Sequence, residues 1–200
     1  MYNWRKMTPE RRAEVLVLRK QCRLPWHGPP HRASDSTVLY HITAACYEHA
    51  SIIGFSPERM SSFSDSLVGE ALAKNCSRIW AWCVLPNHYH VQVECENLKA
   101  LIRALGLLHG KTSRQWNLEE AAIGRTCWHR CMDRAMRSDR HKWATLNYVH
   151  HNPVKHDYVE KWTDWPWSSA DQYLDDIGKE AAAKVWKEYP ILDCGKGWDD

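Results

Sequence analysis

The clearest pattern in the chain is a two-residue alternation that begins at His88 and runs to Cys95. One set of alternate positions is mostly apolar: Tyr89, Val91, Val93 and Cys95. The other set is polar: His88, His90, Gln92 and Glu94. Because successive side chains of a β-strand point to opposite faces, the pattern predicts a half-buried strand with an open polar face. Both histidines lie on that face.

Apolar spacing elsewhere predicts the other elements. Strands are expected over 38–46 and 78–84, with a strand or hairpin over 125–136. Helices are expected over 11–20, 65–75, 98–108, 139–151 and 179–188, the fourth with a cap at Ser138 and an end at Asn152-Pro153. The order strand, helix, two strands, helix, strand, helix predicts an α+β fold. An antiparallel sheet would carry helices packed on one face, close to a split βαβ arrangement.

Length and charge suggest one domain with two extensions. We expect an N-terminal basic extension over 1–36, a main domain over 37–170, and a C-terminal helix and acidic tail over 171–200. The net charge is only +3, but residues 1–32 carry eight Lys or Arg against two Glu. A basic arm of this kind favours a polyanionic partner. The alternative is that the basic arm and the acidic tail are two ordinary solvated surfaces.

The eight cysteines form no Cys-x-x-Cys pair, which favours buried free thiols in a reducing cytoplasm. Cys127 and Cys131, four residues apart, are only a weak zinc pattern. No apolar run reaches the ~18 residues of a membrane span, and no signal-peptide pattern follows the basic N-terminus. We therefore expect a cytoplasmic protein without a membrane partner.

Two same-face histidines can share a divalent metal, but a pair is too few to complete a site. Further residues lie at 148–155, where Tyr148 and Asn152 are four apart and share a helical face. The asparagine amide oxygen suits Mg²⁺ or Mn²⁺, and a tyrosine can attack a phosphodiester. From these residues alone, two other interpretations remain open: the histidines as a pair in the core, and Tyr148 as a packed aromatic residue of a helix. His151 is a rival ligand, and Tyr158 is a rival nucleophile.

Two motifs carry a family resemblance. Leu-Pro-Asn-His-Tyr-His-Val at 85–91 resembles the "MPNHxHL" box of single-tyrosine HUH transposases. Tyr-Val-His-His-Asn-Pro-Val-Lys at 148–155, followed by Trp-Pro-Trp-Ser-Ser at 165–169, resembles the "YxxxNPVR…DWPWSS" signature of REP-associated tyrosine transposases. The chain departs from the family at 156–158, where His-Asp-Tyr stands in place of Ala-Gly-Leu.

The resemblance implies an RRM-like or ferredoxin-like sheet and a set of roles. Tyr148 would be the nucleophile, and His88, His90 and Asn152 would bind Mg²⁺ or Mn²⁺. The enzyme would cut and rejoin single-stranded DNA that carries REP-like palindromic hairpins, through a 5′-phosphotyrosine. It would act in the bacterial cytoplasm at the nucleoid, as a monomer or a homodimer.

Other functions remain open beside this one. A catalytically silent single-stranded nucleic-acid-binding module on the same fold is the first alternative, and a metallohydrolase that uses water is the second. DNA contacts are expected from two basic groups. They are Arg11, Arg12, Arg19, Lys20 and Arg23 in the N-terminal arm, and Arg130, Arg134 and Arg137 near the nucleophile helix.

Overall fold

The computed structural model of the protein describes residues 7–21 and 38–191. Its helices and strands in chain order are α1 (Pro9–Gln21), β1 (Val38–Ala45), α2 (Pro57–Asp65), β2 (Arg78–Val84), β3 (His88–Cys95), α3 (Leu98–Glu119), β4 (Met132–Ala135), α4 (Asp139–Lys155), α5 (Ala170–Ile177) and α6 (Lys179–Glu188). Helix α2 continues directly into a π-helical segment, Ser66–Leu72. Short 3₁₀ turns lie at Tyr47–His49, Ile53–Phe55 and Trp162–Asp164.

The four strands form one antiparallel sheet in the order β2-β3-β1-β4. β3 is therefore an inner strand, and His90 lies opposite Thr43 of β1 and Cys83 of β2. With α2 between β1 and β2 and α3 between β3 and β4, this is the split βαβ arrangement. The predicted α+β fold is confirmed.

Helices cover both faces of the sheet. The apolar face, which carries Tyr89, is the layer against which Phe63 of α2 and the buried leucines of α3 pack. The sequence predicts helices on this one face. On the opposite face lies α4, where the side-chain amide of Gln92 donates to the carbonyl oxygen of Lys142. The polar face of β3 is consequently buried rather than open, with His90 at 0% exposure.

Helix α4 begins as predicted and ends later than predicted. The Ser138 hydroxyl caps it by accepting from the backbone N–H of His141. The helix then continues through Pro153 to Lys155 instead of ending at Asn152, so that expectation was wrong. Pro153 lies in the last turn of the helix, four residues before a left-handed residue, Asp157, with φ of 57°.

The Asp157 turn is a Schellman motif. The backbone N–H of Tyr158 donates to the carbonyl of Pro153, and that of Asp157 donates to the carbonyl of Val154. The left-handed position of such a motif usually holds glycine. Asp157 stands where the family pattern has glycine. The turn therefore keeps the geometry of the motif but costs more free energy than it would with glycine.

The segment after α4 closes one edge of the sheet. The backbone N–H of Val84 donates to the carbonyl of Trp167, and Ser168 forms a bridge with Cys83. The indole of Trp165 donates to the carbonyl of Val84. The Trp-Pro-Trp-Ser-Ser segment thus holds its place through the backbone of β2.

The C-terminal helices pack on α4. The side-chain amide of Asn147 donates to the carbonyl of Tyr189, which fixes the end of α6 against the middle of α4. The sequence predicts α6 but does not predict α5. Residues 192–200 of the expected acidic tail and all of the link at 22–37 lie outside the described residues, and the extension boundaries at 36 and 171 stay predictions.

Six cysteines fall in the described part of the chain, and all six are free thiols. Cys127 donates to the amide oxygen of Asn117, whereas Cys131 lies beside Tyr89. Within residues 7–21 and 38–191, no helix is both long and apolar enough to cross a bilayer.

Candidate active site on the histidine face

Residues from β3 and α4 meet on the histidine face. Nε2 of His88 lies 3.2 Å from Oδ1 of Asn152. The His88 and His90 rings are 5.0 Å apart between centroids, and the Tyr148 ring is 5.2 Å from that of His90. The structure therefore brings together all four residues that the sequence proposed, from segments some sixty positions apart.

The orientation of His88 is set by its neighbour in the chain. Its Nδ1 lies 2.7 Å from Oδ1 of Asn87, and the amide nitrogen of Asn87 donates in turn to the carbonyl of His49. Since Oδ1 of Asn87 can only accept, Nδ1 of His88 carries the proton in this bond. In the neutral ring, Nε2 then presents its lone pair to Asn152.

His88 and Asn152 therefore place two acceptors against each other. Adjacent ligands of an octahedral ion, with bonds of about 2.1 Å, lie about 3.0 Å apart, close to the observed separation. Asn152 is fully buried, and its Nδ2 finds no hydrogen-bond partner among the described residues. A cation shared by Nε2 and Oδ1 would relieve this opposition, so these donors fit a divalent metal.

His41 is part of the cluster and was missed by the sequence reasoning. Its Nε2 lies 3.1 Å from Nδ1 of His90, and the two rings stack at 5.2 Å. A ligand role for His90 would therefore fall to its Nε2. A signal was present, because His41 lies on predicted strand β1 at a polar position between apolar neighbours.

Tyr148 is almost completely buried, with 1% of its surface exposed. Its ring meets the edges of the His90 and His41 rings, and Nζ of Lys155 lies 5.1 Å from the ring centroid. Lys155 is itself exposed. The Tyr148 ring thus lies beside the histidine rings and near the exposed ammonium group of Lys155.

His156 also reaches the cluster and was not proposed from the sequence. Its ring lies 5.1 Å from that of His88. Tyr158 lies one ring further out, with its ring 6.4 Å from that of His156 and tilted against that of Trp165 at 5.3 Å. Tyr158 is 41% exposed, and partial burial raises the pKa of its phenol. The rival nucleophile is closer to the site than its sequence context suggested.

The adjacent histidines His150 and His151 of α4 point away from the cluster. His150 is buried against Ser169, with Nε2 2.9 Å from the hydroxyl, and burial lowers its pKa to about 3. Ser169 also accepts from the backbone N–H of Trp82, so it ties α4 to β2. His151 contacts Trp186 of α6 and does not join the candidate ligands.

The predicted DNA-contact residues fall into two groups. Arg11 is exposed and pairs with Glu14, Arg12 lies on the same helix, the side chains of Arg19 and Lys20 are not described, and Arg23 lies outside the described residues. Arg130, Arg134 and Arg137 are exposed, and Arg134 lies opposite His41 on the histidine face. Burial, followed by the charges of Arg134 and Arg137, lowers the pKa of His141.

Comparisons with known proteins concern the sequence and the fold. The chain is 30% identical over 122 residues to a REP-associated tyrosine transposase of Haemophilus influenzae. The match covers 56% of this chain and 68% of the relative. The solved structure of a REP-associated tyrosine transposase bound to a REP hairpin shares the fold, with a TM-score of 0.54 and 19% identity over 72% of this chain and 83% of that chain. A transposase structure from Deinococcus radiodurans is more distant, with a TM-score of 0.38 and 14% identity over 62% of this chain and 95% of that one. No family model matches the chain.

The fold and the sequence relationship define a transposase, which is a DNA-processing enzyme. More narrowly, the chain belongs to the REP-associated tyrosine transposases.

Proposed function

We propose that this protein is a metal-dependent endonuclease and strand transferase for single-stranded DNA with REP-like palindromic hairpins. The observation that carries the proposal is the convergence of Tyr148, His88, His90 and Asn152 on one buried face. A binding module does not need a phenol beside two imidazoles and an amide oxygen. The hairpin in the solved relative supports the same class of ligand here.

The candidate ligands for the metal are Nε2 of His88, Nε2 of His90 and Oδ1 of Asn152. When bound, Mg²⁺ or Mn²⁺ would supply a positive charge that polarises the scissile phosphate. His41 and Asn87 would act by holding the two imidazoles in place, as hydrogen-bonded neighbours of metal ligands commonly do. Exposed Lys155 would attract the phosphate toward the Tyr148 ring.

The reaction itself exchanges one phosphorus–oxygen bond for another. The Tyr148 oxygen forms a bond to phosphorus, and the bond from phosphorus to the 3′ oxygen breaks. The phenol proton passes to solvent, and the departing 3′ oxygen takes up a proton to become a hydroxyl. The phosphate remains on Tyr148 as a 5′-phosphotyrosine, so attack by a free 3′-hydroxyl can reverse the step without ATP.

The covalent intermediate provides the decisive test. Purified protein is incubated with hairpin DNA and Mn²⁺, and a denaturant-stable protein–DNA adduct is measured. Tyr148→Phe should lower adduct yield by about 10³-fold or more, with hairpin affinity nearly unchanged. Tyr158→Phe is the matched control and should keep the adduct. An adduct that persists in Tyr148→Phe and disappears in Tyr158→Phe would contradict the proposal and identify Tyr158 as the nucleophile.

Metal binding can be measured apart from cleavage. We expect His88→Ala to weaken Mn²⁺ binding by at least about tenfold in calorimetry and to abolish the adduct. His151→Ala, on the side of α4 that faces α6, should leave both unchanged. Equal Mn²⁺ affinity in the wild type and His88→Ala would remove this histidine from the site.

The chain's own Tyr148 lies beside its own histidines, which favours a complete site within one monomer. A mixture of Tyr148→Phe and His88→Ala proteins distinguishes a site that is complete within one monomer from a dimer in which the two chains exchange α4. A site completed in one chain should give no adduct from the mixture. Recovery of adduct would show that the tyrosine acts on the partner's histidines.

One observation favours a second candidate function. Tyr148 is 1% exposed, so its side chain is almost completely shielded from solvent. A silent binding module would retain a tyrosine packed in this way. Under that alternative, the protein would bind hairpins with Mn²⁺ present and give no adduct on any of a panel of sequences. A water-using hydrolase would instead release a free 5′-phosphate.

A further inference from the structure

The turn that follows β1 carries an exposed aromatic cluster close to the candidate active site. Tyr47 is 43% exposed, and its ring lies 4.9 Å from that of His129. The His49 ring lies 6.4 Å from that of His129. None of these rings contributes to the core, and the proposed chemistry does not use them.

This cluster is held by backbone bonds rather than by chance packing. The N–H of Tyr47 donates to the carbonyl of Cys127, and the N–H of His129 donates to the carbonyl of Ala45. The ring of His129 is fixed as well, because its Nε2 accepts from the backbone N–H of Glu48. Tyr47 and His129 are therefore presented together by two paired segments.

The turn also contains unusual backbone. Glu48 and His49 both have φ of 55°, and neither is glycine. The left-handed region costs a non-glycine residue about 1–2 kcal/mol, and such residues persist only when surrounding contacts enforce them. At this turn the carbonyl of His49 accepts from the side chain of Asn87.

That bond connects the cluster to the proposed metal ligand. Asn87 bonds to the carbonyl of His49 through Nδ2 and to Nδ1 of His88 through Oδ1. Along β1, Ala45 is the residue opposite His88, and Tyr47 is two residues beyond it. Two residues of extended chain span about 7 Å, so the cluster borders the site.

Charge at the same border suits a nucleic acid strand. Arg130 follows His129 directly and is exposed. On β4, Arg134 and Met132 lie on the histidine face and are also exposed. Aromatic rings next to exposed guanidinium groups are the combination that proteins use to hold single-stranded DNA, with bases on the rings and phosphates on the cations.

We propose that Tyr47, backed by His129, is a stacking platform for the unpaired base of a nucleotide that adjoins the phosphate at His88. The proposal rests on the proposed DNA-cleaving function and adds a subsite to it. Because any base has a π face, the platform would hold the flanking strand in place without selecting its sequence.

The test uses Tyr148→Phe as the parent, so that DNA is bound but not cut. A hairpin with a single-stranded flank carries 2-aminopurine at one flank position at a time. Fluorescence should be quenched on binding at a position that adjoins the cleavage site. Adding Tyr47→Ala should remove this quenching and weaken binding by about 5- to 100-fold, whereas Tyr47→Trp should retain both.

Two controls separate stacking from damage to the fold. Tyr47→Leu keeps an apolar side chain without a π face and should behave like Tyr47→Ala. Phe55→Ala removes an aromatic that is 63% exposed and stacks on Arg59, and it should leave binding unchanged. An abasic nucleotide at the quenched position should weaken binding by the parent and cause no further loss in Tyr47→Leu.

The outcomes distinguish the two proposals. If the parent fails to bind hairpin DNA, the proposed function fails. If the parent binds and Tyr47→Leu binds equally well with the same quenching, the platform is overturned and the proposed function stands. An equal loss of binding in Phe55→Ala would also overturn the platform.

Discussion

Single residues in this protein have roles that their neighbours in space define. Asn87 is an example: it lies in the motif that resembles the family box, yet its contacts with His49 and His88 show that it orients a ring. His41 does the same for His90 from another strand. The sequence pattern could identify His88 and His90, because they share one strand. It could not pair them with His41 or His156, which no regular spacing connects to them.

Asp157 offers a test of backbone strain at the end of α4. Its φ of 57° suits glycine, so Asp157→Gly should raise the free energy of unfolding by about 0.5–1 kcal/mol. Urea unfolding measures the change. Gly178 provides the reverse case, because its φ is 82° and Gly178→Ala should lower stability. A stability loss in Asp157→Gly would show that the aspartate side chain matters more than the turn.

At the scale of elements, alternation and helical spacing predicted most of the sheet and two of the helices that cover it, α3 and α4. The helix expected over 65–75 begins earlier, because α2 starts at Pro57 and continues into the π-helical segment Ser66–Leu72. β1, β2 and β3 were found because each strand has a regular apolar face, and α3 because its leucines repeat at helical spacing. The late end of α4 was missed because Pro153 was read as a stop. α5 was missed because its eight residues give too short a pattern.

The greater error concerned the histidine face, which was expected to be open. An amphipathic strand shows only that its two faces differ, and the sequence does not tell which helix returns to cover the polar one. α4 does so with a largely buried surface that includes Thr145, Asn147, Tyr148 and Asn152. The polar residues of this helix face the histidines or the neighbouring helix.

The turn before α2 and the motif loop before β3 meet at Gly54, whose backbone N–H donates to the carbonyl of Pro86. A Cβ at this position would lie 2.4 Å from Cβ of Pro86, so Gly54→Ala should lower the free energy of unfolding by about 1–3 kcal/mol. Adduct yield should fall too, because Pro86 leads into Asn87. Gly106→Ala in α3 meets no atom within 4 Å and should be neutral or stabilising by up to about 1 kcal/mol. Thermal unfolding of the two variants side by side tests the contrast.

At the scale of the whole molecule, His109 and His150 are buried on opposite sides of the sheet and are expected to stay neutral. Burial lowers the pKa of His109 to about 4 and that of His150 to about 3. His109 accepts or donates in a bond with the Tyr89 hydroxyl, and His150 bonds to Ser169. Their ordinary pKa is near 6.5, so the unfolded chain takes up protons that the folded chain refuses.

Stability should therefore fall as the pH drops below about 6.5. Each histidine contributes a slope of about 1.4 kcal/mol per pH unit between its unfolded and folded pKa. Urea unfolding at pH 7.5, 6.0 and 5.0 measures the slope. His150→Gln should reduce it by the share of one histidine, whatever its effect on stability at pH 7.5. An unchanged slope in this variant would mean that His150 is protonated in the folded protein.

The bond between Val84 and Trp167 has a consequence for how separate molecules meet. An outer strand with open backbone groups can pair with a strand of another chain and start aggregation. The Trp-Pro-Trp-Ser-Ser segment occupies that position on β2, the more apolar outer strand. The other outer strand, β4, has four residues, two of them charged. The sheet can thus combine apolar strands with outer edges that give a second sheet little to extend.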